Sequence, residues 1–133
     1  MAFYLDTSVL VKLVVAASET EALRSWLLAA GRDLVASDLV RTELMRAVRR
    51  VVPERALQAR QVLDSIVLIE VTSAVFAAAG RLDPPTLRSL DAIHVAAALD
   101  LGDDLDGLVT YDDRLAAAAT ANGLTVLAPT PER

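Results

Sequence analysis

Short apolar runs alternate along the chain with segments whose apolar residues recur at helical spacing, and this alternation predicts the fold. Five runs are predicted as strands, at residues 2–5, 34–36, 66–71, 108–110 and 125–127. Strands that are separated by helices usually pair in parallel. The expected fold is therefore α/β, a three-layer α/β/α sandwich around a central parallel sheet of about five strands. No linker or repeat interrupts the pattern, so residues 1–133 are expected to form a single domain.

Residues that commonly cap helices mark where the predicted helices begin and end. Ser18 and Glu21 have the spacing of a capping box, which predicts a helix through Ala30 that Gly31 ends. Residues 90–101 are apolar on nearly every side, which is typical of a buried central helix. The acidic residues 102–107 are predicted as a turn. The other helices are predicted to begin at Thr7, at Ser37 or Asp38, and at Pro53, Thr72 and Asp112.

Composition and charge restrict the classes of function. Apolar residues make up 54% of the 133 residues, which is enough for a core and excludes a disordered chain. The net charge of −5 argues against holding nucleic acid by bulk attraction, so contact with RNA or DNA would need a local basic surface or a metal. The lack of cysteine excludes thiol catalysis and zinc ribbons. No apolar segment has the length of a membrane span, so we expect no membrane partner and a cytoplasmic location.

Four carboxylates stand where the predicted fold would bring them together. Asp6 follows the first strand, Glu43 lies in the helix after the second, and Asp112 follows the fourth. Asp91 lies in the first turn of the buried helix that leads into the fourth strand. Ligands of open parallel sheets bind beyond the carboxyl ends of the strands, so the four side chains can share one cavity. Carboxylates at close range need a compensating cation, which indicates a Mg²⁺-type site.

Each carboxylate also has a purely structural interpretation. Asp6 and Asp112 suit helix caps, Glu43 could pair with Arg46 one turn later, and Asp91 could act on the helix dipole. The acidic turn that precedes the fourth strand lacks the spacing of a calcium loop. The four carboxylates together are therefore more informative than any one of them.

The basic residues leave two further alternatives open. His94 lies one turn after Asp91 and is either its hydrogen-bond partner or a satisfied core residue. Several arginines fall between positions 41 and 60, in and after the helix that carries Glu43. They could hold an RNA backbone beside the cavity or form ordinary solvated helix faces. These arginines are Arg41, Arg46, Arg49, Arg50, Arg55 and Arg60.

Four segments resemble the motifs of the PIN-domain ribonucleases, in the order in which that family has them. DTSVLVKL at residues 6–13 resembles the opening motif of that family, and SLDAIHVAAAL at residues 89–99 resembles its central helix. The second and last acidic motifs are similar to RTEL at 41–44 and TYDDRL at 110–115. The resemblance covers essentially the whole chain. The size of the chain is similar to that of the VapC-type toxins of type II toxin–antitoxin pairs.

The resemblance implies a catalytic pocket lined by four carboxylates. Asp6 and Asp91 would be the main ligands of Mg²⁺ or Mn²⁺, with Asp112 close by or acting through water. Glu43 would bind a second metal or orient the attacking water. Of the adjacent pair, Asp112 rather than Asp113 is assigned to the site. The implied reaction is endonucleolytic cleavage of RNA by in-line attack of metal-activated water.

The resemblance also implies partners. Its members act on structured RNAs such as tRNA or ribosomal RNA, form homodimers, and are inhibited by a cognate VapB-type antitoxin that often places a basic residue in the acidic pocket. The antitoxin would be a separate chain.

Three other classes of protein compete with this interpretation. A receiver-like phosphoacceptor domain has a similar topology, but it needs a lysine near the late strand ends and the only lysine here is Lys12. A haloacid-dehalogenase-type phosphatase would need an Asp-x-Asp pair after the first strand, which is absent. A non-catalytic PIN-fold module that binds a partner protein or RNA is the remaining alternative, and the presence of all four acids argues against it.

Overall fold

The sheet of this protein is entirely parallel. The structure is a computed structural model that describes residues 2–29 and 31–132. The strands pair in the order β3-β2-β1-β4-β5, as one five-stranded sheet. Their bounds are β1 Ala2–Leu5, β2 Asp33–Ser37, β3 Val67–Ile69, β4 Leu105–Val109 and β5 Val126–Leu127. The chain leaves β1 towards β2 and β3 and returns to its other side at β4, so the topology switches at the central strand.

Helices connect the strands in the predicted alternation. Their bounds are α1 Thr7–Val14, α2 Thr20–Leu28, α3 Val40–Val51, α4 Ala56–Asp64, α5 Ser73–Gly80, α6 Ser89–Asp100 and α7 Asp113–Ala121. Short 3-10 turns precede α4 and β4, at Pro53–Arg55 and Gly102–Asp104. Ala30, the predicted end of the second helix, lies outside the described residues. None of the helices in the described ranges is long and apolar enough to cross a membrane.

The core consists of two apolar clusters, one on each face of the sheet, and successive side chains of a strand point into alternate clusters. Tyr4 points towards the cluster formed with α5, α6 and α7, whereas its neighbour Leu5 points towards α1 to α4. Both side chains are fully buried. Successive residues of a strand face opposite sides of the sheet, so a sheet covered on both faces reads as a continuous apolar run. The predicted three-layer α/β/α architecture is confirmed.

Two of the predicted helix caps are confirmed by side-chain hydrogen bonds. The Thr72 hydroxyl accepts a hydrogen bond from the backbone N–H of Val75 at 3.2 Å, at the start of α5. The Asp112 carboxylate accepts hydrogen bonds from the backbone N–H groups of Arg114 and Leu115 at 2.9 and 3.1 Å, at the start of α7. Both residues satisfy helix N–H groups that have no partner within the helix.

The predicted capping box of Ser18 and Glu21 is wrong. Helix α2 begins at Thr20, and Glu19 precedes it in a helical conformation without a side-chain cap. The Thr20 hydroxyl instead donates to the backbone carbonyl of Lys12 at 2.9 Å, which ties α2 to the end of α1. A tertiary hydrogen bond therefore decides where this helix starts.

The starts of α3 and α4 also differ from the prediction. Neither Ser37 nor Asp38 caps α3, because Ser37 is the last residue of β2 and Leu39 occupies the cap position. The backbone N–H of Asp38 donates to the carbonyl of Ile69 at 2.9 Å, so pairing with β3 extends into the connection. Pro53 begins a 3-10 turn rather than α4 itself.

Strand β4 begins earlier than predicted, inside the acidic segment 102–107. Gly107 pairs with Phe3 of β1, and the register shifts between Ala2 and Phe3, so that Asp106 is an extra residue in β4. Pairing with the central strand overrides the turn-forming preference of the aspartates. The predicted strand at 66–71 is shorter in the structure, which has β3 at Val67–Ile69.

Candidate metal centre

Asp6 lies at the carboxyl end of the central strand and is 5% exposed. One carboxylate oxygen, Oδ1, accepts the backbone N–H of Thr7 at 2.7 Å, which caps α1. The other, Oδ2, accepts the hydroxyls of Ser8 and Thr110, each at 2.8 Å. Three of the roughly four lone-pair positions of the carboxylate are then used, so its orientation is fixed and about one position remains for another ligand.

Glu43 projects from α3 towards the same strand end and pairs with a buried histidine. His94 of α6 is 1% exposed, and its Nε2 donates to Glu43 Oε1 at 2.7 Å. The Thr7 hydroxyl donates to the same oxygen at 2.9 Å. Within the described residues Glu43 forms no ion pair with Arg46, so the structural alternative for this residue is wrong. The Glu43 Oε2 atom has no hydrogen-bond donor among the described residues.

The charges around His94 stabilise its protonated form. Burial opposes that form, but the hydrogen bond to Glu43 and the carboxylates of Asp6, Glu43 and Asp91 raise its pKa above the ordinary value. Burial likewise opposes ionised Glu43, whereas His94 and the Thr7 hydroxyl lower the pKa of Glu43 overall. The two shifts therefore both favour the charged pair of imidazolium and carboxylate. On the other side of the ring, Nδ1 lies 2.7 Å from the hydroxyl of Tyr4.

His94 is thus a satisfied buried residue with partners that differ from the expected one. It hydrogen-bonds Glu43 and Tyr4, and its Nε2 lies 3.9 Å from Asp6 Oδ1. Asp91, the expected partner, acts on it only through its charge. Sequence analysis missed Tyr4 because an aromatic residue in a buried strand reads as core. Its hydroxyl was the one available signal, since a buried hydroxyl needs a partner.

Asp91 is half-buried in the first turn of α6, and its carboxylate makes no hydrogen bond with the part of the chain that the structure describes. Its pKa is raised, first by burial and then by the charges of Asp112 and Asp6. The charges of His94 and Arg88 offset part of this effect. Asp6, Asp91 and Asp112 therefore lie close enough for the charges of the other two to act on Asp91.

Asp112 rather than Asp113 faces the other acids. Asp112 is half-buried, caps α7 through Oδ1, and its backbone N–H donates to the Thr110 hydroxyl at 3.0 Å. Asp113 is exposed in the first turn of α7. The Asp112 Oδ2 atom has no hydrogen-bond donor within the described residues, so the cap leaves one oxygen available.

The donor set fits a hard divalent cation that keeps part of its water shell. No three His, Cys, Asp or Glu side chains in residues 2–29 and 31–132 are already arranged as metal ligands. Mg²⁺ is commonly held by one or two carboxylates and several waters, so it does not require such a set. Asp6, Asp91 and Asp112 offer only carboxylate oxygens. The pKa of Asp91 is raised by burial and also by the charges of Asp112 and Asp6, and a cation would offset those charges.

The arginines around α3 divide into two groups. Arg46, Arg49 and Arg50 line a groove of about 250 Å³ on the exposed side of this helix. Arg55 instead donates to the backbone carbonyl of Val14 at 2.7 Å, which anchors the 3-10 turn to the end of α1. The basic groove therefore contains three of the six arginines that the sequence places between positions 41 and 60.

Comparison with known proteins identifies the family. The PIN domain family model matches residues 3–121. Ribonuclease VapC47 of Mycobacterium tuberculosis is 42% identical over 130 residues, which cover 95% of this chain and 96% of the relative. Ribonuclease VapC46 of the same organism is 44% identical over 128 residues, covering 96% and 98%.

Solved structures show the same fold at lower sequence identity. The structure of M. tuberculosis VapC20, described as a sarcin–ricin loop cleaving toxin, has a TM-score of 0.74 at 18% identity and covers 92% of this chain and 96% of its own. A toxin–antitoxin complex from Klebsiella pneumoniae has a TM-score of 0.72 at 20% identity, covering 99% and 100%. On the family model and the near-full-length relatives, this chain belongs to the PIN domain family and, within it, to the VapC ribonucleases.

Proposed function

We propose that this protein is a metal-dependent endoribonuclease toxin that cleaves RNA at the cluster of Asp6, Asp91 and Asp112. The observation that carries the proposal is the Asp91 carboxylate, which is half-buried, has no hydrogen-bond donor among the described residues, and faces two further carboxylates. A half-buried carboxylate without a protein donor remains accessible to solvent, from which a divalent cation can reach it. A site that takes up a divalent cation explains why no donor is provided.

In this proposal Asp6 and Asp91 hold Mg²⁺ or Mn²⁺, and Asp112 contributes its free Oδ2 directly or through water. A bound divalent cation would lower the pKa of water and neutralise charge on the phosphate. The hydroxyls of Ser8 and Thr110 keep Asp6 oriented. Asp6 therefore presents its remaining lone pair without reorganisation, which is the physical benefit of a hydrogen-bonded ligand.

Glu43 is suited to orient the attacking water. Thr7 and His94 fix its Oε1, while Oε2 is left to accept a hydrogen bond from a water molecule. The lowered pKa of Glu43 keeps it ionised and able to accept that bond. Hydrolysis adds the water oxygen to phosphorus and breaks the bond to the leaving ribose oxygen, which takes up a proton. One RNA strand becomes two, with a phosphate on one new end and a hydroxyl on the other.

We further propose that a VapB-type antitoxin neutralises the protein, that it forms a homodimer, and that it acts in the cytoplasm on tRNA or ribosomal RNA. The toxin–antitoxin complex from K. pneumoniae supports the first point, because its toxin fold matches almost the whole chain. The description of VapC20 as a sarcin–ricin loop cleaving toxin supports ribosomal RNA as one candidate. A basic antitoxin side chain would complement the acidic cluster.

The direct test compares the purified protein with its Asp6→Asn variant on total RNA, with Mg²⁺, with Mn²⁺ and with chelator. We expect discrete fragments only from the unmodified protein with metal. Asp113→Asn is the matched control, because Asp113 is an exposed neighbour of the cluster, and this variant should cleave normally. Cleavage by Asp6→Asn at the normal rate would contradict the assignment. A protein that neither cleaves RNA nor binds Mn²⁺ would be a non-catalytic binding module.

A further inference from the structure

A cleft of about 770 Å³ lies beside the acidic cluster, between the connection from α5 to α6 and the exposed side of α7. Its walls come from residues 83–88 on one side and 114–122 on the other. The volume falls within the range of roughly 300–1,000 Å³ that small-ligand sites occupy. Apart from Asp91, none of the residues that line this cleft has a role in the proposed hydrolysis.

The cleft is continuous with the acidic cluster through Asp91. This residue lines the cleft and faces Asp112 and Asp6 at the same time. Arg114 also lines the cleft, and its backbone N–H donates to Asp112. Any polymer whose reacting bond lies at the acids would therefore place its next unit in the cleft.

Two guanidinium groups make the cleft suitable for a phosphodiester chain. Arg88 and Arg114 both line it, both are exposed, and neither forms an ion pair with another described residue. Two carboxylates, Asp83 and Asp91, line it as well. A divalent cation at the acidic cluster would offset the charge of Asp91 and leave the arginines in excess. Arginine is suited to both phosphate contacts and stacking on a base.

The floor of the cleft offers a flat apolar surface with one polar group at its end. Ala117, Ala118 and Ala121 of α7 line it with methyl groups only. The Asn122 side-chain amide donates to the carbonyls of Asp83 and Ala118, at 3.0 and 2.8 Å. Both neighbours are acceptors, so the NH₂ group must face them, and the side-chain Oδ1 remains as a fixed acceptor. An acceptor on an apolar floor suits the exocyclic amino group of a base.

We propose that this cleft binds the nucleotide next to the scissile phosphate in a single-stranded RNA segment, and so contributes base preference at that position. Arg88 and Arg114 contact the phosphate or stack on the base, the alanines of α7 carry the base, and Asn122 Oδ1 favours bases with an amino group. The inference rests on the proposed endoribonuclease function and adds a specificity determinant to it.

Two independent variants test the cleft. Arg88→Ala combined with Arg114→Ala removes its charge, and Ala121→Trp fills it without touching the carboxylates. The matched controls are Arg81→Ala, which removes an exposed arginine outside the cleft, and Ala77→Trp, which adds the same bulk to an exposed position on α5. Binding of fluorescent single-stranded RNA is measured by anisotropy with Ca²⁺ in place of Mg²⁺, so that a divalent cation still offsets Asp91, and with pools that carry one fixed base type. Ends of fragments from total RNA are mapped in parallel with Mg²⁺ or Mn²⁺.

We expect both cleft variants to weaken RNA binding roughly tenfold, because the arginine variant loses hydrogen bonds to a charged group and the tryptophan occupies the space of the base. The preference at one nucleotide beside the cut should flatten, and the rate at saturating RNA should change less than the Michaelis constant. The controls should match the unmodified protein. Unchanged affinity and unchanged base preference in both cleft variants would overturn the subsite.

The assay separates this inference from the proposed function. If the unmodified protein cleaves RNA but the cleft variants cleave with the same preference, the subsite is wrong and the endoribonuclease stands. If the unmodified protein binds RNA through the cleft but cleaves none with Mg²⁺ or Mn²⁺, the catalytic proposal fails, and the cleft is an RNA-binding site rather than a subsite beside a scissile phosphate. If the cleft variants lose only inhibition by a VapB-type antitoxin, the occupant is a protein segment and the RNA subsite is overturned.

Discussion

The carboxylates of the acidic cluster differ in how far their hydrogen-bonding capacity is used. Asp6 accepts three hydrogen bonds and Asp112 accepts two, whereas Asp91 accepts none from the described residues. Asp6 and Asp112 sit at helix N-termini, where backbone N–H groups are available. Asp91 lies within the first turn of its helix. The unsatisfied residue is the one on which substitution should have opposite effects on stability and activity.

Replacing Asp91 with asparagine should stabilise the metal-free protein and abolish cleavage. The raised pKa of Asp91 means that its ionised form is disfavoured in the folded state. Stability is thus lost as pH rises through that pKa, and Asn avoids the loss. Cleavage should fall on the order of a hundredfold or more, as for other charge-stabilising groups. Thermal unfolding in chelator and RNA cleavage with Mg²⁺ measure the two effects. A variant that is less stable and fully active would disprove the role of Asp91.

The Glu43–His94 pair should set the pH dependence of stability. His94 has a raised pKa, so its contribution is complete below its ordinary value of 6.5 and is lost as pH rises through the raised value. Glu43 has a lowered pKa, so its contribution is present above its ordinary value of 4.5 and is lost as pH falls through the lowered one. Stability from the pair should therefore be greatest between these two pH values.

Glu43→Gln tests this dependence. Near pH 6 the substitution should cost about 2 kcal/mol, because it replaces a hydrogen bond between two charged groups with one from His94 to a neutral amide oxygen. The difference from the unmodified protein should shrink as pH rises and His94 loses its proton. Melting temperatures across pH in chelator measure the effect, with Asp113→Asn as a surface-charge control. A constant difference at every pH would exclude a contribution from the ionised pair.

At the scale of the element, α3 connects the acidic cluster with the basic groove. Val40, Leu44 and Val48 bury one side of the helix, and Glu43 turns from the edge of that side towards Asp6. The opposite side carries the arginines of the groove. One helix therefore positions a carboxylate at the cluster and offers cations to an RNA backbone.

Replacing Arg46 and Arg49 together with alanine should weaken RNA binding and its dependence on salt. Each lost contact with a single-stranded phosphate lowers the slope of log K against log salt by about 0.7, so two lost contacts lower it by about 1.4. The double variant Arg60→Ala with Arg81→Ala removes equal charge from exposed positions outside the groove and should leave the slope unchanged. Equal slopes for both double variants would assign the groove to ordinary solvation.

Gly107 in β4 should tolerate no side chain. A Cβ atom there would lie 2.6 Å from Leu127 Cδ1 and 3.2 Å from the carbonyl oxygen of Thr125. The leucine end can shift, but the Thr125 carbonyl is held by the backbone N–H of Leu108, so Gly107→Ala should cost about 1–3 kcal/mol. Gly80→Ala is the control, since a Cβ atom at that position would have no neighbour within 4 Å among the described residues. This control should be neutral or stabilising by up to about 1 kcal/mol. Denaturant unfolding of both variants checks the difference.

The elements that could be predicted from sequence are those with local causes. Thr72 and Asp112 are predictable as caps because their side chains bind N–H groups two or three residues later. The predicted start of α2 is wrong because the Thr20 hydroxyl bonds to Lys12, in another helix. The first residues of β4 escape prediction because pairing with β1 outweighs their local turn preference.

The same distinction applies to the site. Asp6 and Asp112 could be placed near one another because the carboxyl ends of parallel strands share one edge of the sheet, and Asp91 because its helix leads into the fourth strand. The contact between Glu43 and His94 joins residues 51 positions apart on different helices, and no local pattern encodes it. Only the demand that a buried imidazole be satisfied hints that such a partner exists.

At the scale of the whole molecule, a divalent cation should bind the folded chain but not the unfolded one, and should therefore raise the free energy of unfolding. The carboxylates come from β1, α6 and the β4–α7 connection, so the unfolded chain has no equivalent site. A ligand at a hundred times its Kd adds about 2.7 kcal/mol of stability. We expect Mn²⁺ titration to raise the melting temperature of the unmodified protein and of Asp113→Asn. Asp6→Asn should not respond, and a full response by that variant would place the cation elsewhere.

The bond between Thr110 and Asp6 joins residues 104 positions apart, and it forms where the first strand pairs with the fourth. Contacts of such long range form slowly, because loop closure must precede them. The acidic cluster should therefore be among the last features to assemble during folding. A chain whose synthesis has passed α6 but has not reached β4 would already contain Asp6 and Asp91. It would not cleave the RNA around it, because these carboxylates are not yet assembled with Asp112. The rate at which cleavage recovers after dilution from denaturant would then measure the rate of the final step of folding.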